Sequence, residues 1–380
     1  MTTTKFKLNT NEYCACNILR RTITDIPATD DFLSFAINNQ IAGAAGHILS
    51  LKSTELNQVE QRFIEEHNRV QTMLEHYFTE LDHIGNIFSK NGIKVILLKN
   101  TGIARAIFDC AGCCPMGDMD ILVEKENFLN AHKLLVTEGY TFKFRSDLET
   151  DDIQCALRNG GSEYWKILKT GEKLWLELQF RPVAGRWISH DQEPDVGELF
   201  ERSIAISGSS LRLLSPEDNL LQVSLHTAKH SYIRAPGFRL HTDVDRIVRF
   251  QNIDWNIFLS KVISLKVKTA VYFSLLIPRV LLNTPVPQFV INKLAPGNFK
   301  EMIITGILNR AGLFNPDKKK FNKITYLLFN ILLYDSYRQI FLNVFPGRNR
   351  LIEQYGCDSH SVWIYYFKRI LDLLFRRHNI

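Results

Sequence analysis

Three acidic side chains on two predicted strands have the spacing of a metal-binding group. In the segment 117–123 (GDMDILV), strand geometry sends alternate side chains to opposite faces, so Asp118 and Asp120 share the face away from the core. Glu177 is the single acid on the polar face of a second alternating segment, 174–180 (LWLELQF). Like charges this close repel one another without a cation. If the two strands are neighbours, the three carboxylates converge and suit two Mg²⁺ ions and phosphoryl chemistry.

A lysine at the end of another strand adds a candidate phosphate contact. Lys99 directly follows the apolar segment 94–98 (KVILL), which predicts a buried strand, and a short helix is expected over 101–108. A lysine in this position can meet a phosphate as a point charge, and the first amides of the helix near Thr101 would add donors. Asp-x-Asp alone is common and usually marks solvated acids, but the strand, lysine and helix before it favour the metal site.

The elements that position these residues form a short α/β segment between helical flanks. Helical periodicity covers residues 30–90 and breaks at Asn91-Gly92. The strands and helices expected after this break are strands at 94–98, 118–123, 140–145, 163–168 and 173–180 and helices at 101–108 and 126–137. The last two strands flank Thr170-Gly171, which predicts a hairpin, and helices dominate from residue 217 onward.

This pattern predicts an α+β fold in three parts. A small mixed β-sheet core at 91–182 is flanked by an N-terminal helical region at 1–90 and a large C-terminal helical domain at 183–380. The chain is expected to be looser between Pro182 and Pro216, and no internal repeat is visible.

Composition excludes several classes of protein. The 380 residues are 45% hydrophobic and 23% charged, which is ordinary for a globular chain, and the net charge of +6 is scattered. The sequence has no basic arm with interleaved aromatic residues, so it gives no argument for nucleic-acid binding. The polar N-terminus lacks a signal sequence, and the apolar stretches are too short to cross a bilayer. Together with seven cysteines, an odd number, these features predict a reduced, cytoplasmic protein.

Other candidate sites carry weaker signals. Cys110-x-x-Cys113-Cys114 has the spacing of half a zinc site, but no second Cys/His pair lies at a suitable spacing, so a reduced loop is favoured. His226 and His230 have the i, i+4 spacing of a metalloprotease pair, but the required Glu is absent, which favours packing over lining a ligand cleft. P-loop and dinucleotide-binding glycine motifs are also absent. The amphipathic, basic segment 362–377 is expected to pack on its own domain, with an anionic membrane surface as the alternative.

Several motifs together resemble one family. The matching segments, in chain order, are Leu97-Leu98-Lys99-Asn100, Pro115 to Val123 (PMGDMDILV), Gly139-Tyr140, Glu177 to Phe180 (ELQF), Leu214 to Asp218 (LSPED), Leu225 to His230, Phe345-Pro346 and Tyr355-Gly356. They resemble the uncharacterised nucleotidyltransferase family, a branch of the DNA polymerase β-like nucleotidyltransferase superfamily, over most of residues 30–375.

The resemblance implies a Mg²⁺-dependent enzyme that transfers a nucleoside monophosphate from an NTP to an acceptor and releases pyrophosphate. It implies catalytic and metal-binding roles for three acids, which are Asp118, Asp120 and Glu177. It also implies nucleotide contacts, for which the candidates are Lys99, Thr101 and Gly117. The acceptor, whether a small molecule, a sugar or a peptide, is left open.

Three departures from the family pattern leave alternatives open. Asn100 replaces a glycine after the lysine, Cys114 replaces an arginine before Pro-Met, and Gln179 replaces a histidine beyond the third acid. None of them removes a metal-binding carboxylate, but each can weaken catalysis. One alternative is therefore a catalytically silent binding or regulatory module of the same fold. Another is a helical interaction protein in which the three acids lie far apart.

Overall fold

The fold is a mixed α+β arrangement built on one sheet, as the sequence predicted. It is seen in a computed structural model that describes residues 6–20, 22, 26–52, 55–146, 151–183, 188, 190–315, 318, 320–348, 351 and 363–367. The seven strands of the sheet are β1 (Val95–Leu97), β2 (Met119–Leu122), β3 (Thr141–Phe142), β4 (Gly161–Ile167), β5 (Lys173–Gln179), β6 (Ile204–Ala205) and β7 (Leu211–Leu213).

The sheet is mixed, with strand order β3-β4-β5-β2-β1-β7-β6. Strand β2 lies between β1, to which it is antiparallel, and β5, to which it is parallel. The hairpin predicted around Thr170-Gly171 is confirmed, because β4 and β5 pair antiparallel over seven residues each. Gly171 adopts a φ of 93°, a left-handed conformation that glycine accepts without a steric penalty. This topology places the two acid-bearing strands side by side at the centre of the sheet.

The N-terminal helices lead to a long helix that reaches both cores of the protein. The helices of this half are α1 (Thr10–Leu19), α2 (Asp30–Asn38), α3 (Ala42–Ser50), α4 (Gln58–Lys90), α5 (Lys99–Ala106), α6 (Phe128–Thr137) and α7 (Ile153–Asn159). Helix α4 has 33 residues and so spans about 50 Å. Its Phe63 belongs to the core of the helical region, whereas its residues from Val70 to Phe88 pack on one face of the sheet.

The C-terminal helices share one hydrophobic core with the N-terminal ones. They are α8 (Val196–Arg202), α9 (Pro216–Lys229), α10 (Arg239–Phe250), α11 (Trp255–Ser264), α12 (Lys268–Leu282), α13 (Gln288–Leu294), α14 (Asn298–Ala311), α15 (Lys323–Leu332) and α16 (Tyr337–Val344). Phe35 of α2, for example, packs edge-on against Phe238, with ring centroids 6.3 Å apart. Helices from both flanks therefore contribute to one hydrophobic core.

Some short elements differ from the sequence prediction. Strands β6 and β7 fall in the stretch expected to be loose, yet β7 pairs in parallel with β1. The strand expected over 140–145 is reduced to Thr141–Phe142. Within the described residues, no helix combines the length and the apolar character that crossing a membrane requires. The basic segment 362–377 lies outside the described residues except for 363–367.

The expectation that all cysteines are reduced is wrong for one pair. Cys110 directly precedes a 3₁₀ turn that ends at Cys113, and this turn brings their Cα atoms to 5.4 Å, a usual separation for a disulfide, which joins the two residues in the structure. Cys14, Cys16, Cys114 and Cys155 are free thiols. The pairing follows from the local turn, which the sequence showed only as a Gly- and Pro-rich loop.

A buried histidine in α10 makes the stability of the fold depend on pH. His241 is fully buried, its Nε2 donates to the Tyr232 carbonyl at 2.8 Å, and burial lowers its pKa to about 4. An unfolded histidine titrates near 6.5, so this stabilisation is complete above roughly pH 6.5 and about 3 kcal/mol is lost as the pH falls towards 4. We expect His241→Gln to lose less stability than the wild type between about pH 7 and about pH 4.5, measured by urea unfolding. Equal losses in both proteins would exclude His241 as the titrating group.

Candidate active site

The pairing of β2 with β5 brings the predicted acids together. Asp120 lies directly opposite Glu177 in the parallel register of these strands, and Asp118 immediately precedes β2. Side chains alternate as predicted: Met119 and Ile121 enter the core beneath α4, whereas Asp120 points to the other face of the sheet. Asp120 is buried, and the side chains of Asp118 and Glu177 are 25% and 20% exposed. The group therefore opens to solvent on the side of Asp118.

Two side chains bridge Asp120 and Glu177. The Lys99 ammonium lies 2.5 Å from Asp120 Oδ1 and 3.5 Å from Glu177 Oε2. The Nε2 amide of Gln179 donates to the same two oxygens, at 2.8 Å in each case. Because the same two donors bind both acids, the carboxylates of Asp120 and Glu177 lie close enough to share single hydrogen-bond donors. The glutamine that replaces the family's histidine thus has a defined role as a donor between the acids.

Arg145 is a member of this group that the sequence reasoning missed. Its guanidinium binds Asp118 Oδ2 at 2.7 Å, forms a short ion pair with Glu177, and contacts Glu163 at 2.9 Å. It also lies over the Trp175 ring, 5.4 Å from the centroid. The sequence placed Arg145 at the end of a predicted strand but gave no sign of the strand order that carries it to the acids.

The electrostatics of the group favour an added cation. Burial raises the pKa of Asp120 well above its usual range, even with the Lys99 ammonium beside it. Burial also opposes ionisation of Glu177, but the charge of Lys99, the hydrogen bond with Asp120 and the charge of Arg145 together hold its pKa below the usual range. Burial disfavours the Lys99 ammonium, but the carboxylates outweigh it and raise the pKa of Lys99. Further positive charge would therefore favour ionisation of Asp120.

The start of α5 holds Asp120 in place. Lys99 adopts a φ of 51°, in the left-handed region that costs a non-glycine residue about 1 kcal/mol. The ion pair with Asp120 offsets this strain. The buried Thr101 hydroxyl accepts a hydrogen bond from the backbone N–H of Asp120 at 2.9 Å, so it positions the strand.

Gly117, by contrast, is exposed and has open space where a side chain would be, directly beside Asp118.

The other two departures from the family pattern, Asn100 of α5 and Cys114 of the loop before β2, contact each other. Asn100 is buried in α5, and its side-chain amide donates to the carbonyls of Cys114 and Pro115 at 3.1 and 3.2 Å. Burial raises the pKa of the Cys114 thiol to about 11, so this side chain is neutral and carries none of the positive charge of an arginine. Arg239 of α10 donates to the Pro115 carbonyl at 3.2 Å. The loop that leads to Asp118 is thus held by donors from two helices.

The end of α9 adds basic and aromatic groups next to the acids. The charge of Lys229 contributes to the low pKa of Glu177. The rings of His226 and His230 contact each other edge-on, with centroids 4.6 Å apart. Burial, followed by the nearby charge of Lys99, lowers the pKa of His226 well below its usual range, so the ring is neutral at pH 7. The two histidine rings therefore contact each other and lie near Lys99.

The donor set fits a hard divalent cation. Asp120 and Glu177 share Lys99 and Gln179, and Asp118 and Glu177 share Arg145, so the three carboxylates lie around common donors. Carboxylate oxygens are the protein ligands that Mg²⁺ prefers. This arrangement contradicts the alternative of a helical interaction protein, for which the three acids are expected to lie far apart. The Lys99 and Arg145 side chains supply positive charge at these oxygens.

Comparisons with known proteins identify a family for this chain. A family model described as an uncharacterised nucleotidyltransferase matches residues 27–283, a range that contains the three acids and all the residues that contact them. No curated protein and no solved structure matches the chain.

Proposed function

The chain belongs to the uncharacterised nucleotidyltransferase family, and from this premise we propose that it is a Mg²⁺-dependent enzyme of the polymerase β-like type. It transfers a nucleoside monophosphate from an NTP to the hydroxyl of a small molecule, sugar or peptide and releases pyrophosphate. The observation that carries the proposal is the register that sets Asp120 opposite Glu177, with Asp118 two residues before Asp120. Nucleotidyltransferases generally use an NTP and a divalent metal ion, and this group supplies ligands for the metal.

The three acids would hold the metal, and the neighbouring cations would serve the phosphates. Bound Mg²⁺ supplies charge neutralisation at the phosphates and stabilises the in-line displacement at the α-phosphorus. The low pKa of Glu177 keeps it ionised, which suits a ligand and an orienting acceptor for the incoming hydroxyl. Lys99 and Arg145 neutralise the acids in the absence of metal, so they are available to anionic phosphate oxygens once a metal takes over that task.

Calorimetric titration with each of the four common NTPs, with and without Mg²⁺, tests the nucleotide site. We expect binding that requires Mg²⁺, followed by pyrophosphate release when a metabolite pool supplies the acceptor. If the NTPs bind in a metal-dependent way but no acceptor leads to pyrophosphate release, the result would support the catalytically silent module. Absence of metal-dependent binding for all four nucleotides would contradict the proposal.

The open space beside Gly117 gives a specific test of where the nucleotide lies. No atom lies within 4 Å of a Cβ placed on Gly117, which is exposed, so Gly117→Leu should change the free energy of unfolding by less than about 0.5 kcal/mol. If the NTP fills this space, the same variant should raise the KM for NTP at least roughly tenfold, about 1.4 kcal/mol of binding energy. Gly306→Leu is the matched control, because Gly306 of α14 also faces open space. Unchanged nucleotide affinity in Gly117→Leu would remove Gly117 from the site.

A further inference from the structure

Four potential metal ligands meet at a second place, where the N-terminal helices contact the loop before β2. His47 lies on α3 and His67 lies on α4. Cys110 directly precedes the 3₁₀ turn Ala111–Cys113, and Cys113 ends it. One nitrogen or sulfur atom from each of the four residues lies within 4.8 Å of those of the other three. In a tetrahedral zinc site, sulfur atoms about 2.3 Å from the ion are about 3.8 Å apart, so small movements would complete such a site.

The backbone is packed tightly to bring these residues together. A side chain at Gly112 would place its Cβ 2.5 Å from Cε1 of His67, and one at Gly43 would collide with the Gly112 carbonyl. The Gly112 N–H also donates to the Gln71 side chain of α4 at 2.8 Å. Both glycines are therefore required for the turn to lie between α3 and α4.

The surroundings of His67 suit a metal ligand. Its Nδ1 lies 3.0 Å from the Gly43 carbonyl, and a carbonyl only accepts, so Nδ1 carries the hydrogen. In the neutral ring the lone pair is then on Nε2. Metal-binding histidines usually donate their second nitrogen to a carbonyl or carboxylate in this way, which fixes the ring. The His47 ring lies beside it, with centroids 5.4 Å apart.

We propose that His47, His67, Cys110 and Cys113 form a structural Zn²⁺ site when the cysteine pair is in its dithiol form. Two sulfur and two nitrogen donors, with no carboxylate in the group, select zinc over Mg²⁺ or Ca²⁺. The disulfide reaches this form by exchange with a monothiol: two RSH reduce one Cys–S–S–Cys to two Cys–SH and leave as RSSR. The two thiols then release two protons as their sulfurs bind the ion.

The position of the cluster defines what the metal would do. It joins α3 and α4 to the loop whose next residues, Cys114 and Pro115, are held by Asn100 and Arg239. Arg246 of α10 donates to the Cys113 carbonyl at 2.7 Å. Zinc would therefore clamp the segment that leads into Asp118 to α3 and α4, in addition to the contacts that these donors of α5 and α10 make with it. No acid of the candidate active site belongs to the cluster.

Metal analysis of the full chain, produced with zinc and purified under a monothiol reductant, tests the proposal. We expect about one zinc ion per chain in the wild type and at least roughly tenfold less in the double variant Cys110→Ser/Cys113→Ser. The matched controls are Cys14→Ser and His83→Asn, which alter a cysteine and a histidine outside the cluster and should retain zinc as the wild type does. Zinc below about a tenth of an ion per chain in the reduced wild type, or equal zinc in the double variant, would overturn the proposal.

A second measurement on the wild type remains decisive if the double variant does not fold. Zinc added to the reduced, metal-free chain should protect two cysteines from alkylation, and peptide mass spectrometry should identify them as Cys110 and Cys113. Co²⁺ in place of zinc should give the visible spectrum of a tetrahedral site with thiolate ligands, and His67→Ala should diminish it. Protection of other cysteines, or of none, would contradict the assignment.

Discussion

Asp120→Asn is expected to lower the rate of pyrophosphate release by roughly 10³-fold, about 4 kcal/mol of transition-state stabilisation. Asp120 is the acid at the centre of the group, since it contacts Lys99 and Gln179 and lies opposite Glu177. An amide of the same shape removes the negative charge that a metal ligand needs. Release rates measured in excess Mg²⁺ and NTP compare the wild type with the variant.

The fold should survive this substitution. Burial raises the pKa of Asp120, so a neutral side chain at this position costs less folding stability than it would at most aspartates. In addition, Lys99 keeps Glu177 as an ion-pair partner at 3.5 Å. Asp152→Asn is the matched control, because Asp152 caps α7 and asparagine caps a helix equally well. Turnover of Asp120→Asn within a few fold of the wild type would exclude a role for this acid in catalysis.

Lys99→Met is expected to destabilise the metal-free protein by about 3 kcal/mol and to make it respond more strongly to Mg²⁺. The Lys99 ammonium is 14% exposed and is the nearest positive charge to Asp120. Its removal leaves the acids with Arg145 and Gln179 as the remaining donors. A divalent ion that binds the carboxylates would replace the missing charge, so Mg²⁺ should raise the melting temperature more in the variant than in the wild type.

A matched variant separates this effect from the general cost of breaking an ion pair. Lys166 pairs with Glu80 at 2.7 Å, and the two side chains are 22% and 16% exposed, which makes Lys166→Met similar in burial but remote from the acids. This control should lose stability and keep the wild-type response to Mg²⁺. If Lys99→Met and Lys166→Met respond equally to Mg²⁺, the metal does not bind beside Lys99.

The central strands and their acids could be predicted because their signals are local. Strict alternation in the segments 117–123 and 174–180 fixed which side chains share a face, and the structure confirms that alternation in β2 and β5. The Thr170-Gly171 turn likewise indicated the β4–β5 hairpin. Each of these patterns lies within a few residues along the chain.

What could not be predicted depends on contacts between distant segments. Strands β6 and β7 have two and three residues, too few for a periodic signal, and β7 is a strand because it pairs with β1. Arg145 reaches Glu177 only because the strand order is β3-β4-β5-β2. His47 and His67 were missed as partners of Cys110 because the zinc spacing was sought nearby along the sequence, whereas three separate elements contribute the ligands.

Metal binding at the three acids is tested most directly by paramagnetic titration with Mn²⁺ in the presence of a non-hydrolysable NTP. We expect about two bound Mn²⁺ ions per wild-type chain, dependent on the nucleotide, and loss of this binding in Asp120→Asn and in Glu177→Gln. Absence of nucleotide-dependent Mn²⁺ binding in the wild type would contradict a metal site at the three acids, and so would full retention of this binding in both variants.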